Sequence, residues 1–141
     1  MERISISLLL MLFSMYCTAK IMQEPQQFSS MTSPIIGTWI YTNNGCEEIY
    51  TFDALGNRFV TSHQERVMAK YTLDPVDPVK GIFVLKDHVI KDNAEPDCSG
   101  SRRNMEGDIA EVIVFIENNP SRFSFCFDPE LKQCVGPFYK R

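Results

Sequence analysis

Beyond Pro34 the chain alternates between short apolar runs and clusters of turn residues, and no segment keeps a helical apolar period for a dozen residues. The punctuation is strong. Asn43-Asn44-Gly45 tolerates positive φ, Asp53-Ala54-Leu55-Gly56-Asn57 turns back, and Asn118-Asn119-Pro120 ends the longest apolar run. Between these lie candidate strands at 35–42, 47–53, 58–62, 66–73, 80–86, a short one at 88–91, then 109–117, 122–127 and 133–139. Asp74-Pro75-Val76-Asp77-Pro78 is expected to break the ladder, because proline has no N–H to give. Phe123, Phe125 and Phe127 fall on one face and Ser124 and Cys126 on the other, so the Phe face is expected to look inward. The fold class expected is all-β: one small antiparallel barrel of about eight strands with mostly meandering connections. A two-sheet β-sandwich is the alternative, since strand count alone does not separate them.

The first 34 residues read differently. Residues 4–13 are almost wholly apolar, too few to span a bilayer but of the length of a signal-peptide core. Cys17-Thr18-Ala19 offers small residues for cleavage after Ala19, which divides the chain into a signal peptide at 1–19, a flexible polar arm at 20–34 and a barrel domain at 35–141. A lipidated Cys17 would need a small residue before it, and Tyr16 is not one, so export without a lipid anchor is expected. Periplasm is the expected compartment and secretion the alternative. No later segment is long and apolar enough for a membrane span. The net charge of −4 is spread over interspersed acids and bases, which argues against a nucleic-acid partner.

Four cysteines remain after such cleavage, an even number in an exported chain. Cys126 and Cys134 flank Asp128-Pro129-Glu130-Leu131-Lys132, a good hairpin turn, so they are expected to face each other, which leaves Cys46 with Cys98. There is no Cys-x-x-Cys pair, and His63 and His88 lack ligand-like spacing to any cysteine. No metal and no cofactor are expected.

Gly37-x-Trp39 opens the first strand, and about eight strands follow. Together they resemble lipocalins and other calycin-type barrels. The resemblance implies that Trp39 closes the barrel base under a basic residue of the last strand, a cation Lys140 or Arg141 would supply; Gly37, Trp39 and Arg141 are the residues assigned to that base. It also implies that loops recognise partners. Full lipocalins, which carry apolar ligands, are longer than this domain, whereas small barrels nearer its size occur among exported bacterial protease and lysozyme inhibitors.

The longest irregular stretch, 92–108, is the candidate partner loop, with Asp92, Asn93, Glu95, Asp97, Arg102 and Arg103 as its contact residues. Its acids lack the spacing of an EF-hand, and Ser99 and Ser101 lack the setting of a catalytic nucleophile. The expectation is therefore a monomeric, non-enzymatic module, of inhibitor or immunity type, that binds a protein through its loops or arm. The alternative is a small apolar-ligand carrier whose cup is lined by residues drawn from Tyr41, Tyr50, Phe52, Phe59, Tyr71 and Phe83.

Overall fold

A computed structural model describes residues 33–118 and 121–141. The segment expected to be a signal peptide, 1–19, and nearly all of the expected arm at 20–34 lie outside these residues. Eight strands form a closed antiparallel barrel: β1 Gly37–Asn43, β2 Cys46–Phe52, β3 Asn57–Ser62, β4 Glu65–Asp77, β5 Ile82–Asp92, β6 Ile109–Asn118, β7 Ser121–Cys126 and β8 Cys134–Lys140. Each strand pairs with its neighbours in sequence, and β1 closes on β8 through Trp39 opposite Lys140 and Ile40 opposite Tyr139. A barrel rather than a sandwich results, and every strand has a partner on both sides for at least part of its length.

Local chemistry explains most boundaries. Asn44 and Gly45 both take positive φ, 49° and 79°, as a two-residue hairpin turn demands. Two boundaries differ from expectation. The stretches at 80–86 and 88–91 are parts of one strand, β5, because the charged residue between them, Asp87, points inward to a partner and does not interrupt the ladder. β4 also continues through Pro75 to Asp77. It can do so because β3 pairs with β4 only as far as Lys70, so the far half of β4 has a ladder on one side alone, toward β5.

β7 keeps its alternation against β6 as far as Cys126, and the shift against β8, where Phe123 faces Phe138 and Phe125 faces Val135, places the extra residue in β8. Phe123 is buried, but Phe127 lies past the strand end and is 67% exposed, while Cys126, expected to face out, is buried. The inward run therefore stops two residues earlier than the pattern implies.

The core has two parts. Toward the end where β1 begins, Trp39, Phe52, Phe123 and Phe138 are each at most 1% exposed. Phe123 and Phe138 stack at 4.6 Å, and Trp39 meets Phe123 edge-on at 5.0 Å. Each such ring contributes roughly 1.5–3 kcal/mol of burial energy against the entropy of ordering it. Toward the other end Val60, Val67 and Val89 form a smaller cluster, over which Met105 packs from the long loop.

Two disulfides join Cys46 to Cys98 and Cys126 to Cys134. They point to an oxidising, extracytoplasmic environment.

Candidate functional site

The meander gives the barrel two unlike ends. The base end carries the start of β1, the end of β8 and the short connections β2–β3, β4–β5 and β6–β7. The loop end carries the connections β1–β2 and β3–β4, the long loop at 93–108 and the segment at 127–133.

At the loop end the 93–108 segment is pinned from several directions. The Cys46–Cys98 bridge ties it to β2. The Pro96 carbonyl accepts hydrogen bonds from Gln64 N and Glu65 N at 3.0 and 3.1 Å. Asn93 Oδ1 accepts from Arg66 N at 2.9 Å, its Nδ2 donates to the Gln64 carbonyl at 3.0 Å, and Cys98 N donates to Ser62 Oγ at 3.0 Å. The carboxylate of Asp92, only 7% exposed, accepts from Ala94 N and Met105 N, so it braces the loop from beneath. Asp97 Oδ1 gathers Ser99 N, Ser99 Oγ and Ser101 N, which holds its carboxyl below the usual carboxylate range. Ser99 through Asn104 are all exposed. Arg102 pairs with Glu95 at 3.2 Å and Arg103 with Asp108 at 2.6 Å, both in solvent. Of the six candidate contact residues, Asp92 faces inward, Asn93 and Asp97 are committed to the loop's own hydrogen bonds, and Glu95, Arg102 and Arg103 are presented outward.

Beneath the loop, charged side chains lie beside the valine cluster. Arg58 forms a two-pronged pair with Asp87, Nε to Oδ1 at 3.1 Å and Nη2 to Oδ2 at 2.5 Å, with the two side chains 11% and 10% exposed. The pair reaches across β4, where Ala69, directly opposite Arg58, leaves room over its methyl group. The guanidinium also stands 5.9 Å from the Tyr50 ring centroid, and the Tyr50 hydroxyl donates to Glu48 at 3.1 Å. Burial, and then the Glu48 charge, push that hydroxyl well above the ordinary phenol range, so it remains a donor. Glu65, 7% exposed, faces Asp92, Asp97 and Glu48. Desolvation first and these like charges second raise its pKa to about 7, with Arg58 opposing. Nothing in the sequence singled out Arg58, Asp87 or Glu65. The one available signal was that alternation places each of them on an inward position of its strand.

At the base end Trp39 is 1% exposed and its Nε1 donates to the Ile35 carbonyl at 2.7 Å. The cation over it is Lys140, with Nζ 5.1 Å from the ring centroid, and not Arg141. Arg141 is exposed and instead donates its backbone N–H to the Thr38 carbonyl at 2.9 Å, beyond the last strand residue. Gly37, with φ +133°, lies under the same lysine; a Cβ there would come within 2.9 Å of Lys140 Cε.

Of the six cup-lining candidates, Tyr41, Tyr50, Phe52 and Tyr71 belong to or pack on the main core, and Phe59 faces out at 44% exposure. Phe83 lines a cavity of about 460 Å³, but at the base end, bounded by Ser33, Pro34, Leu73, Pro75, Pro78, Gly81, Ile116 and Asn118. Among the described residues no group of three or more His, Cys, Asp or Glu side chains is arranged to hold a metal ion.

These features define a closed eight-stranded antiparallel barrel with an aromatic core, a buried ion pair and a doubly stapled loop end. Compared with protein-family models, with curated proteins and with solved structures, the chain matches none.

Proposed function

We propose that this protein is an exported, non-enzymatic barrel of lipocalin-like type that binds a protein partner, as an inhibitor or immunity-type factor, through its 93–108 loop. The observation that carries this reading is the loop's construction. A disulfide and a set of partly buried hydrogen bonds hold one backbone shape, while six consecutive residues from Ser99 to Asn104 stand exposed. A loop ordered before encounter loses little entropy on binding, which is how a small surface gains affinity. The filled loop end supports the same reading, since Tyr50, the Arg58–Asp87 pair and Met105 occupy the space that a carrier's cup would leave open. Ser99 Oγ is engaged with Asp97, which suits a turn-former better than a nucleophile. The lipocalin-like assignment is supported by Gly37-x-Trp39 at the base under Lys140. The two disulfides are compatible with the periplasm. The arm at 20–34, the other candidate contact, lies almost entirely outside the described residues.

The test is site-specific cross-linking in the extracytoplasmic fraction of the source cells. A photo-reactive residue replacing Ser101 should capture one discrete protein, and the same residue replacing Thr72 should not. Exchanging residues 94–105 for a Gly/Ser linker should then abolish binding of that protein, and Arg102→Ala with Arg103→Ala should weaken it at least tenfold. Binding that survives the loop exchange would sink the reading.

A further inference from the structure

We propose that the cavity at the base end is a binding site for an uncharged apolar molecule carrying one hydrogen-bonding head group, such as a medium-chain alcohol or a phenol. This site lies at the opposite end of the barrel from the 93–108 loop and is independent of it.

The sequence builds this cavity by giving β4 and β5 13 and 11 residues, whereas β3 beside β4 has only 6 and pairs with it no farther than Lys70. The β4–β5 hairpin therefore overhangs the base. Its inner side brings Leu73, Pro75 and Phe83 over Ile116, and Gly81 presses close enough to β6 for its carbonyl to accept from Ile116 N at 2.8 Å. Only glycine fits there: φ is +75° and a Cβ would meet the Ile116 carbonyl oxygen at 2.1 Å. The opposite wall is Ser33-Pro34, turned toward β1 by the Ile36 N–H to Ser33 carbonyl hydrogen bond at 3.0 Å. The cavity's volume, about 460 Å³, lies in the range of small-molecule sites, roughly 300–1,000 Å³.

The chemistry of the lining selects the occupant. Leucine, phenylalanine, isoleucine, three prolines and a glycine supply the walls, and no lining residue carries a charge. A carboxylate or ammonium group would lose its hydration there with no counter-ion to meet it. One polar atom is out of keeping with the rest. Ser33 Oγ is buried with no hydrogen-bond partner among the described residues. A buried hydroxyl without a partner is costly, and a turn of the Ser33 side chain about χ1 toward the cavity would let a ligand hydroxyl or carbonyl satisfy it. Asn118, at the end of β6, supplies a second polar group in the lining.

The experiment titrates the purified full chain, labelled for NMR, with 1-decanol and, separately, with decanoate. With 1-decanol the Leu73 and Ile116 methyl signals should shift saturably, while the Val60 and Val67 methyls at the loop end stay in place. Decanoate should bind at least tenfold more weakly. Ser33→Ala should weaken 1-decanol about two- to tenfold, the range of one neutral hydrogen bond. Leu73→Trp, which fills the cavity, should abolish the Ile116 shift while the loop-end signals report an intact barrel. Unsaturable or absent shifts at Leu73 and Ile116, equal affinity for decanoate, or a Ser33→Ala variant that binds as tightly would each overturn the proposal. So would nuclear Overhauser contacts from the chain's own N-terminal residues to Phe83 in the absence of probe, which would assign the cavity to the chain itself.

Discussion

Arg58 on β3 and Asp87 on β5 meet inside the barrel across an intervening strand, with Ala69 of β4 beneath their contact. Two charges that are about nine-tenths buried have given up most of their hydration, and their mutual attraction roughly offsets that loss. The value of the pair lies in what happens when half of it is removed. Asp87→Leu leaves the buried guanidinium without its carboxylate partner and should cost about 3–5 kcal/mol. Arg58→Met alone should cost a similar amount. The double replacement should recover most of the loss, returning to within about 2 kcal/mol of the parent. Urea unfolding of the four proteins measures the coupling; additive losses would show that the two residues act separately.

Lys140 and Arg141 are adjacent in sequence and unlike in structure. Lys140 covers the Trp39 ring from β8, whereas the exposed Arg141 contributes its backbone N–H to Thr38. Lys140→Ala should therefore destabilise by about 1 kcal/mol, from a cation–π contact and the loss of its stem over Gly37. It should also alter the emission of the chain's one tryptophan. Arg141→Ala should change stability by less than about 0.5 kcal/mol. Thermal unfolding followed by tryptophan fluorescence distinguishes the two variants.

Which parts of this architecture were legible follows from which signals are local. Strand number and the Cys126–Cys134 hairpin follow from alternation and turn residues a few positions apart, and the second bridge then follows by elimination. The reach of β4 through Pro75 was hidden because proline is forbidden in a ladder only where a partner needs its N–H, and nothing local to Pro75 shows that β3 has already ended. Asp87 looked like a break between two strands because its partner is 29 residues away. Phe127 looked inward because its type continues the Phe123–Phe125 alternation, and nothing local to it shows that β7 ends at Cys126. Ser33 read as part of a polar arm, and only the overhang of a hairpin some forty residues later makes it a cavity wall.

The two disulfides should differ in worth because they close loops of different length. Cys46 and Cys98 are separated by 52 positions and Cys126 and Cys134 by 8. In the chain-entropy model the longer closure stabilises by about 4 kcal/mol and the shorter by about 2.5 kcal/mol. Replacing Cys46 and Cys98 with serine should therefore cost more, and it should do something the other pair does not. Amide hydrogen exchange at Asp97, Gly100 and Ser101, whose N–H groups are held within the loop or to its neighbours, should accelerate while β6 and β7 remain protected. Exchange measured residue by residue checks both statements.

Glu65 makes stability depend on pH in the direction opposite to most carboxylates. Desolvation and the charges of Asp92, Asp97 and Glu48 raise its pKa from 4.5 to about 7 in the folded chain. Below pH 4.5 the group is protonated in both states and has no effect on the balance. Between pH 4.5 and about 7 the unfolded chain ionises while the folded chain holds its proton, so stability falls as pH rises. Above about pH 7 the penalty is complete and constant, up to about 3 kcal/mol at 1.36 kcal/mol per pKa unit. Glu65→Gln keeps the shape and removes the titration. It should be more stable than the parent at pH 8 by about 1–3 kcal/mol, and the two should converge at pH 4. Because Glu65 N also holds the Pro96 carbonyl, the same ionisation acts directly beneath the anchored loop. Exchange at Asp97 and Ser101 should therefore quicken between pH 5 and 8 in the parent, beyond the intrinsic pH dependence, and not in Glu65→Gln. Equal stability of the two proteins at pH 8 would show that Glu65 is solvated well enough to ionise without cost.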